Sequence, residues 1–126
     1  MWSRKVWMCL AALAGLLAVV GGAFAAHGMS DPRSIELLHT GATYAFMHAM
    51  ATFACAIFMT LDARKARFAP AFFLAGILLF SGSLFAMALG GPSWLGAITP
   101  LGGVAFIIGW AVLAWAALDI DPKRVG

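Results

Sequence analysis

Between Val6 and Ala26 no residue carries a charge, and the same holds from Gly41 to Leu61, from Phe68 to Leu89 and from Ile98 to Leu118. Runs of this length match the roughly 20 apolar residues that an α-helix needs to cross the hydrocarbon of a bilayer. Lipid offers the backbone no hydrogen-bond partners, so such runs must close their own bonds as helices. The expected fold class is therefore all-α: an integral membrane bundle of four transmembrane helices, spanning about 6–26, 41–61, 68–89 and 98–118 within a single membrane domain over residues 1–126. Composition points the same way. The chain is 10% charged, against about a quarter in soluble domains, too little to cover a water-facing surface.

The first run begins like a secretory signal, with Arg4 and Lys5 ahead of it and Ala23-Phe24-Ala25 near its end. It is longer than the apolar region of about 7–15 residues that such signals carry, which predicts an uncleaved first helix. Ala14, Ala18, Gly22 and Ala26 give that helix a small residue at every fourth position, a seam for close helix contact. Asp31-Pro32 is a helix start, with Asp at the N-cap and Pro at the first helical position. The segment that follows is amphipathic, Ile35 and Leu38 opposing Arg33 and Glu36. It is expected to lie at the interface and lead into the second span, as one long helix or with a kink near Gly41. Asp62 to Arg67 reads as a tight basic loop, Gly90-Gly91-Pro92-Ser93 as a turn, and Thr99-Pro100 as a second cap-plus-proline start.

Charge orients the spans. Arg4, Lys5, Arg64, Lys65, Arg67, Lys123 and Arg124 fall on one side and Arg33 on the other. By the positive-inside rule the basic side is cytoplasmic, placing a multi-pass protein in the inner (plasma) membrane with both termini in the cytoplasm. Trp2, Trp7 and Trp115 then lie near the inner interface and Trp94 near the outer one. The net charge of +3 comes in short groups between apolar runs, a topology pattern and not a nucleic-acid-binding face. Cys9 and Cys55 lie within apolar runs without metal-ligand spacing, and are expected to be small buried thiols on the reducing side.

Chemistry, if any, should gather around His48, the ionisable side chain inside the second run. Thr40, Tyr44, His48 and Thr52 follow at every fourth position and stack into one polar stripe. Counting about 1.5 Å per residue from each helix midpoint puts His48 and Ser83 at one level, roughly 6 Å outward of the membrane centre. Ser81 falls slightly deeper, and Tyr44, His27 and Thr99 further out. The candidate site is thus a polar pocket in the outer half of the bundle, formed by His27, Tyr44, His48, Ser81, Ser83 and Thr99.

A charged side chain near the bilayer centre costs about 2.5–3.5 kcal/mol, so His48 is expected to be neutral. Its hydrogen bonds should go to Tyr44, to a carbonyl, or to Ser81 or Ser83. His27 and His48 differ by roughly 10 Å in depth, which disfavours a shared haem or metal, and His39 should be solvated. The hydroxyls of Ser81 and Ser83 are expected to bond back along their own helix. Gly102, Gly103 and Gly109 should be packing positions, and the indole of Trp110 should find Thr52. Met and Phe residues read as lipid-facing filler.

Several strings, GAFAAHG at 22–28, TGATYAFMHA at 40–49, GILLFSGSLFAMAL at 76–89 and LGAITPLGGVAFIIGW at 95–110, cover the chain in order. Together they resemble the small membrane family filed as domain of unknown function 423, whose eukaryotic relatives are called transmembrane protein 256. His27, Tyr44, His48, Ser81-Gly82-Ser83, Thr99-Pro100 and Gly102-Gly103 match its motifs, while Met47 stands where relatives often have Tyr. The resemblance implies several membrane spans and adds no reaction. The main expectation is a structural, accessory or lipid-interacting membrane protein. The alternative is a small carrier or channel for a solute, using the outer-half pocket around His48. Compact exporters of that kind generally couple to protons through a membrane carboxylate, and no Asp or Glu lies inside a span. No nucleophile–base pair or metal set emerges, so no enzyme activity, cofactor or metal is expected. The partners foreseen are membrane lipids, a larger membrane-protein complex or a second copy of the chain, without nucleic acid.

Overall fold

A computed structural model describes residues 3–121 and residue 123; Trp2 and Arg124 lie outside them. Helix α1 spans Arg4–His27 and α2 spans Pro32–Thr60. The third rod is compound: a 3-10 segment Arg64–Phe68, α3 at Ala69–Gly76, a π turn at Ile77–Ser81, and α4 at Gly82–Ala88. A 3-10 segment Ser93–Ala97 then leads into α5, Thr99–Ala117. Among the described residues four helical stretches, Arg4–His27, Pro32–Thr60, Arg64–Ala88 and Ser93–Ala117, are long and apolar enough to cross a membrane.

Local chemistry explains the ends. The Asp31 carboxylate accepts from the Ser34 backbone N–H at 3.1 Å and from its hydroxyl at 2.9 Å, with Pro32 opening the helix as the sequence predicts. Helix α2 closes with Asp62 at φ 70°, where the Ala63 N–H returns to the Phe58 carbonyl at 3.0 Å. Helix α4 closes in the same way: Gly90 takes φ 100° and the Gly91 N–H reaches the Ala86 carbonyl at 2.8 Å. These 6→1 bonds are the Schellman pattern, which satisfies carbonyls that a helix end would otherwise leave open.

Two local expectations change, and of the two forms expected for α2 the structure has the single helix, continuous from Pro32 to Thr60; a Cβ at Gly41 would press into the Phe85 ring. Glycine is there for close approach to α4. The seam of α1 runs through Ala11, Ala14, Ala18, Gly21 and Ala25. With 3.6 residues per turn, strict fourth-position spacing drifts off the contact face, and alternating steps of three and four stay on it. Gly22 and Ala26 therefore lie off the buried line. Thr99 is not an N-cap: Ile98 before it is already helical, continuing from the 3-10 segment, and makes no side-chain cap bond.

Helix α1 packs along α2 and meets the third rod near its end, where Ala25, Leu38 and Ala88 form a small buried cluster. Helix α2 in turn packs against α3, the π turn and α4, and α5 lies mainly on α3, the π turn and the first 3-10 segment. The larger buried core joins α2, the third rod and α5 at the end carrying the α1 N-terminus: Ala51, Cys55, Ala63, Ala66, Ala69, Phe73, Leu113 and Ala116. At that end Lys65 pairs with Asp119 at 3.1 Å and lies 4.1 Å from the Trp115 ring centroid, tying the third rod to α5. Cys55 is buried in this core with its thiol on the Ala51 carbonyl, whereas Cys9, expected to be buried, is exposed on α1.

Candidate functional site

His48 is 2% exposed, at the centre of α2. Both ring nitrogens are engaged. The indole N–H of Trp110 on α5 donates to Nε2 at 3.0 Å, and Nδ1 lies 2.7 Å from the Tyr44 carbonyl one turn earlier. Because indole can only donate, Nε2 must be the lone-pair nitrogen and Nδ1 must carry the proton, which it donates to Tyr44. The imidazole is therefore neutral in this arrangement, with its donor and its acceptor both satisfied. Its ring lies flat on Phe106, centroids 3.5 Å apart and planes 8° apart. Phe73 at 5.8 Å and Tyr44 at 6.1 Å complete the enclosure.

The expected partners of His48 thus change in part. The bond to Tyr44 goes to its carbonyl, and the cross-helix partner is Trp110 on α5 in place of a serine on the third rod. Thr52, the acceptor expected for Trp110, donates its hydroxyl to the His48 carbonyl at 2.8 Å. Ser81 does not bond back along its own helix; its hydroxyl crosses to the Gly41 carbonyl of α2 at 2.7 Å. Ser83 does bond back, to the Phe80 carbonyl at 2.9 Å, and also meets the Thr99 hydroxyl. Thr99 also reaches the Leu95 carbonyl at 3.4 Å, so each hydroxyl has a backbone acceptor and either can donate to the other.

The six sequence-predicted site residues therefore do not converge. His48 sits in an aromatic cage, Ser81 holds the α2–π-turn contact, and Ser83 with Thr99 joins α4 to the start of α5. Tyr44 is 38% exposed at the edge of the cage, and His27 is exposed in the last turn of α1. No buried side-chain nitrogen or oxygen among the described residues lacks a hydrogen-bond partner. No group of three or more His, Cys, Asp or Glu that can hold a metal occurs among them either.

Sequence reasoning missed the cage walls. Phe73 and Phe106, taken as lipid-facing, are buried. A signal was present in the glycines: a Cβ at Gly76 would strike Phe106, one at Gly109 would strike Phe73, and one at Gly102 would fall on the backbone of Phe80. Large rings on one helix are matched by glycines on the next. Gly103 is different, with nothing within 4 Å of a Cβ built there, and is not a packing position.

A cavity of about 410 Å³ lies elsewhere, between α1 and the third rod, with apolar side chains around it and Ala45 of α2 in its wall.

A family model described as "Protein of unknown function (DUF423)" matches residues 21–103, which contain all six of those site residues. The chain is 43% identical to the "UPF0382 membrane protein YwdK" of Bacillus subtilis strain 168, over 90% of this chain and 97% of the relative. It is 40% identical to a "UPF0382 membrane protein" of Haemophilus influenzae, over 90% and 94% respectively. With the "UPF0382 inner membrane protein YgdD" of Escherichia coli K12 the identity is 34%, over 98% and 97%. No solved structure matches. With four membrane-length apolar helices and this degree of similarity along nearly its whole length, the chain belongs to the UPF0382 membrane-protein family, described as of unknown function (DUF423).

Proposed function

We propose that the protein is an accessory bundle of the inner membrane, with both termini in the cytoplasm, that works by holding lipid or a partner membrane protein and catalyses no reaction. The observation that carries this reading is the closure of its polar groups on one another. His48 gives its proton to Tyr44 and its lone pair to Trp110, and Ser81, Ser83 and Thr99 are bonded within or between helices. Interhelical bonds of this kind hold transmembrane helices in register, which is a scaffold's use of polar residues. Seven of the eight Lys and Arg residues fall at the ends assigned to the cytoplasm, which supports the orientation. The Escherichia coli relative named as an inner membrane protein supports the location.

Purification from native membranes in mild detergent, followed by protein and lipid mass spectrometry, tests the role. The expected result is a partner protein or a lipid class enriched over the bulk membrane. A bare self-dimer stabilised by a soluble solute would overturn it. A reporter appended to the C-terminus is expected to be active only as a cytoplasmic probe, and a periplasmic signal would reverse the orientation.

A further inference from the structure

We infer that the cleft between α1 and the third rod binds one anionic phospholipid, an acyl chain lying in the cleft and the phosphate held at the arginine-rich end of the bundle. This deepens the lipid-holding half of the function proposed above and rests on it. The cleft lies between α1, which packs along α2, and the third rod, with Phe85 against Gly21 at one end of it. Its walls are Leu13 and Leu17 of α1, Ala45 of α2, and Ile77, Leu78 and Phe85 of the third rod. Ser81, the hydroxyl-bearing residue of the lining, has its hydroxyl on the Gly41 carbonyl and offers a ligand no free donor. An occupant is therefore held by apolar contact, and Leu13, Leu17 and Leu78, all exposed, open the cleft toward the lipid.

Charge identifies the headgroup. Leu10 and Leu74 line the cleft on α1 and the third rod. About 9 Å beyond Leu10 along α1, and a third of a turn round it, comes Arg4, and about 11 Å beyond Leu74 comes Arg67, both toward the same end of the bundle. Both are exposed, with Lys5 and Arg64 beside them. The Arg67 guanidinium is anchored, donating to the Arg64 carbonyl at 3.1 Å and lying 4.3 Å from the Phe68 ring centroid. Among the acids of this end, Asp119 pairs with Lys65 beside α5, Asp121 accepts from the Lys123 backbone N–H, and Asp62 lies in the turn after α2. A hydrocarbon cleft with arginines from both flanking helices at one end is complementary to a phosphate on an acyl chain, since guanidinium matches phosphate oxygens in pairs.

The test is native mass spectrometry of the full chain in detergent, titrated with dioleoyl phosphatidylglycerol and with dioleoyl phosphatidylcholine, which share their chains and differ in charge. The wild-type protein is expected to bind the phosphatidylglycerol at least about tenfold more tightly. A cation near an anionic lipid surface contributes about a fivefold preference. Arg4→Gln with Arg67→Gln, both at exposed positions, should thus remove most of that difference while leaving phosphatidylcholine binding unchanged. Gly82 lines the cleft, and a Cβ built there meets nothing within 4 Å. Gly82→Phe should therefore fill the space and abolish binding of both lipids.

Equal binding of the two lipids by the wild type, or wild-type binding by the arginine pair variant, would overturn the assignment, as would a dimer that excludes lipid. Should Gly82→Phe not fold by circular dichroism, the arginine variant decides alone. Retention of a lipid class that neither variant alters removes this site and leaves the lipid-holding function standing. Failure to retain any lipid removes that function as well.

Discussion

His48 and Trp110 show how a polar side chain is accommodated in a membrane bundle. Trp110 is 44% exposed, its ring at the lipid surface, while its N–H turns inward to Nε2. Removing either partner leaves a polar group without its bond, and in membrane bundles such bonds couple by about 0.6 kcal/mol on average and about 1.7 at most. A double-mutant cycle of His48→Phe and Trp110→Phe, read from unfolding equilibria in mixed micelles, should return a coupling in that range. His48→Phe keeps an aromatic ring against Phe106 and isolates the hydrogen bond from the stacking. A cycle that closes to zero would show the bond to be incidental to folding. Protonation of Nε2 would set its N–H against the Trp110 N–H, so the bond and the neutral ring stand or fall together.

At the scale of elements, α3, α5 and the π turn are fitted to each other by ring-and-glycine pairs, and neighbouring glycines make a controlled experiment. Gly102→Ala drives a methyl group onto the Phe80 backbone, which cannot swing aside as a flexible side chain can. It should destabilise the bundle by about 1–3 kcal/mol, the usual range for overpacking. Gly103→Ala meets open space, and relief of the glycine penalty, about 1 kcal/mol in a helix interior, should leave it neutral or slightly stabilised. Thermal melts in one detergent check both, and equal loss in the two variants would contradict the packing described.

The same contrast marks what was legible in the sequence. The runs of apolar residues and the Asp31 cap are local signals, and both were readable. The seam of α1 was read correctly at Ala14 and Ala18 and slipped by one residue beyond them, because a strict fourth-position step drifts off the contact face. The π turn was invisible, for ILLFS reads as ordinary apolar helix. What distinguishes it is fit to two neighbours at once, Phe80 packed toward Gly102 and Ser81 bonded to Gly41. The stripe on α2 was readable as polar, but the partner of His48 depended on the rotation of α5, which no spacing within α2 reports.

Over the whole molecule the helices divide into a larger unit, α2 with the third rod and α5, and a first helix held to α2 by a seam of small residues and to the end of α4 by one small cluster around Ala25 and Ala88. The chain carries one cysteine in each part. Cys55 lies in the larger core, and Cys9 is exposed on α1. In detergent micelles N-ethylmaleimide should react with Cys9 in the native state and with Cys55 only when the core opens. Ala18, buried on the seam, is where α1 is most directly displaced. A phenylalanine there must push α1 away from α2, and Ala18→Phe should leave the protection of Cys55 nearly unchanged because the core around Cys55 draws on α2, α5 and the third rod alone. Phe73→Ala acts on that core itself. Truncating a buried Phe costs about 3–5 kcal/mol, and about 1.4 kcal/mol is a factor of ten in an equilibrium. The open fraction and the labelling rate of Cys55 should therefore rise by a hundredfold or more. If Ala18→Phe exposed Cys55 as strongly as Phe73→Ala does, the bundle would be a single cooperative unit, and the division drawn from its packing would be wrong.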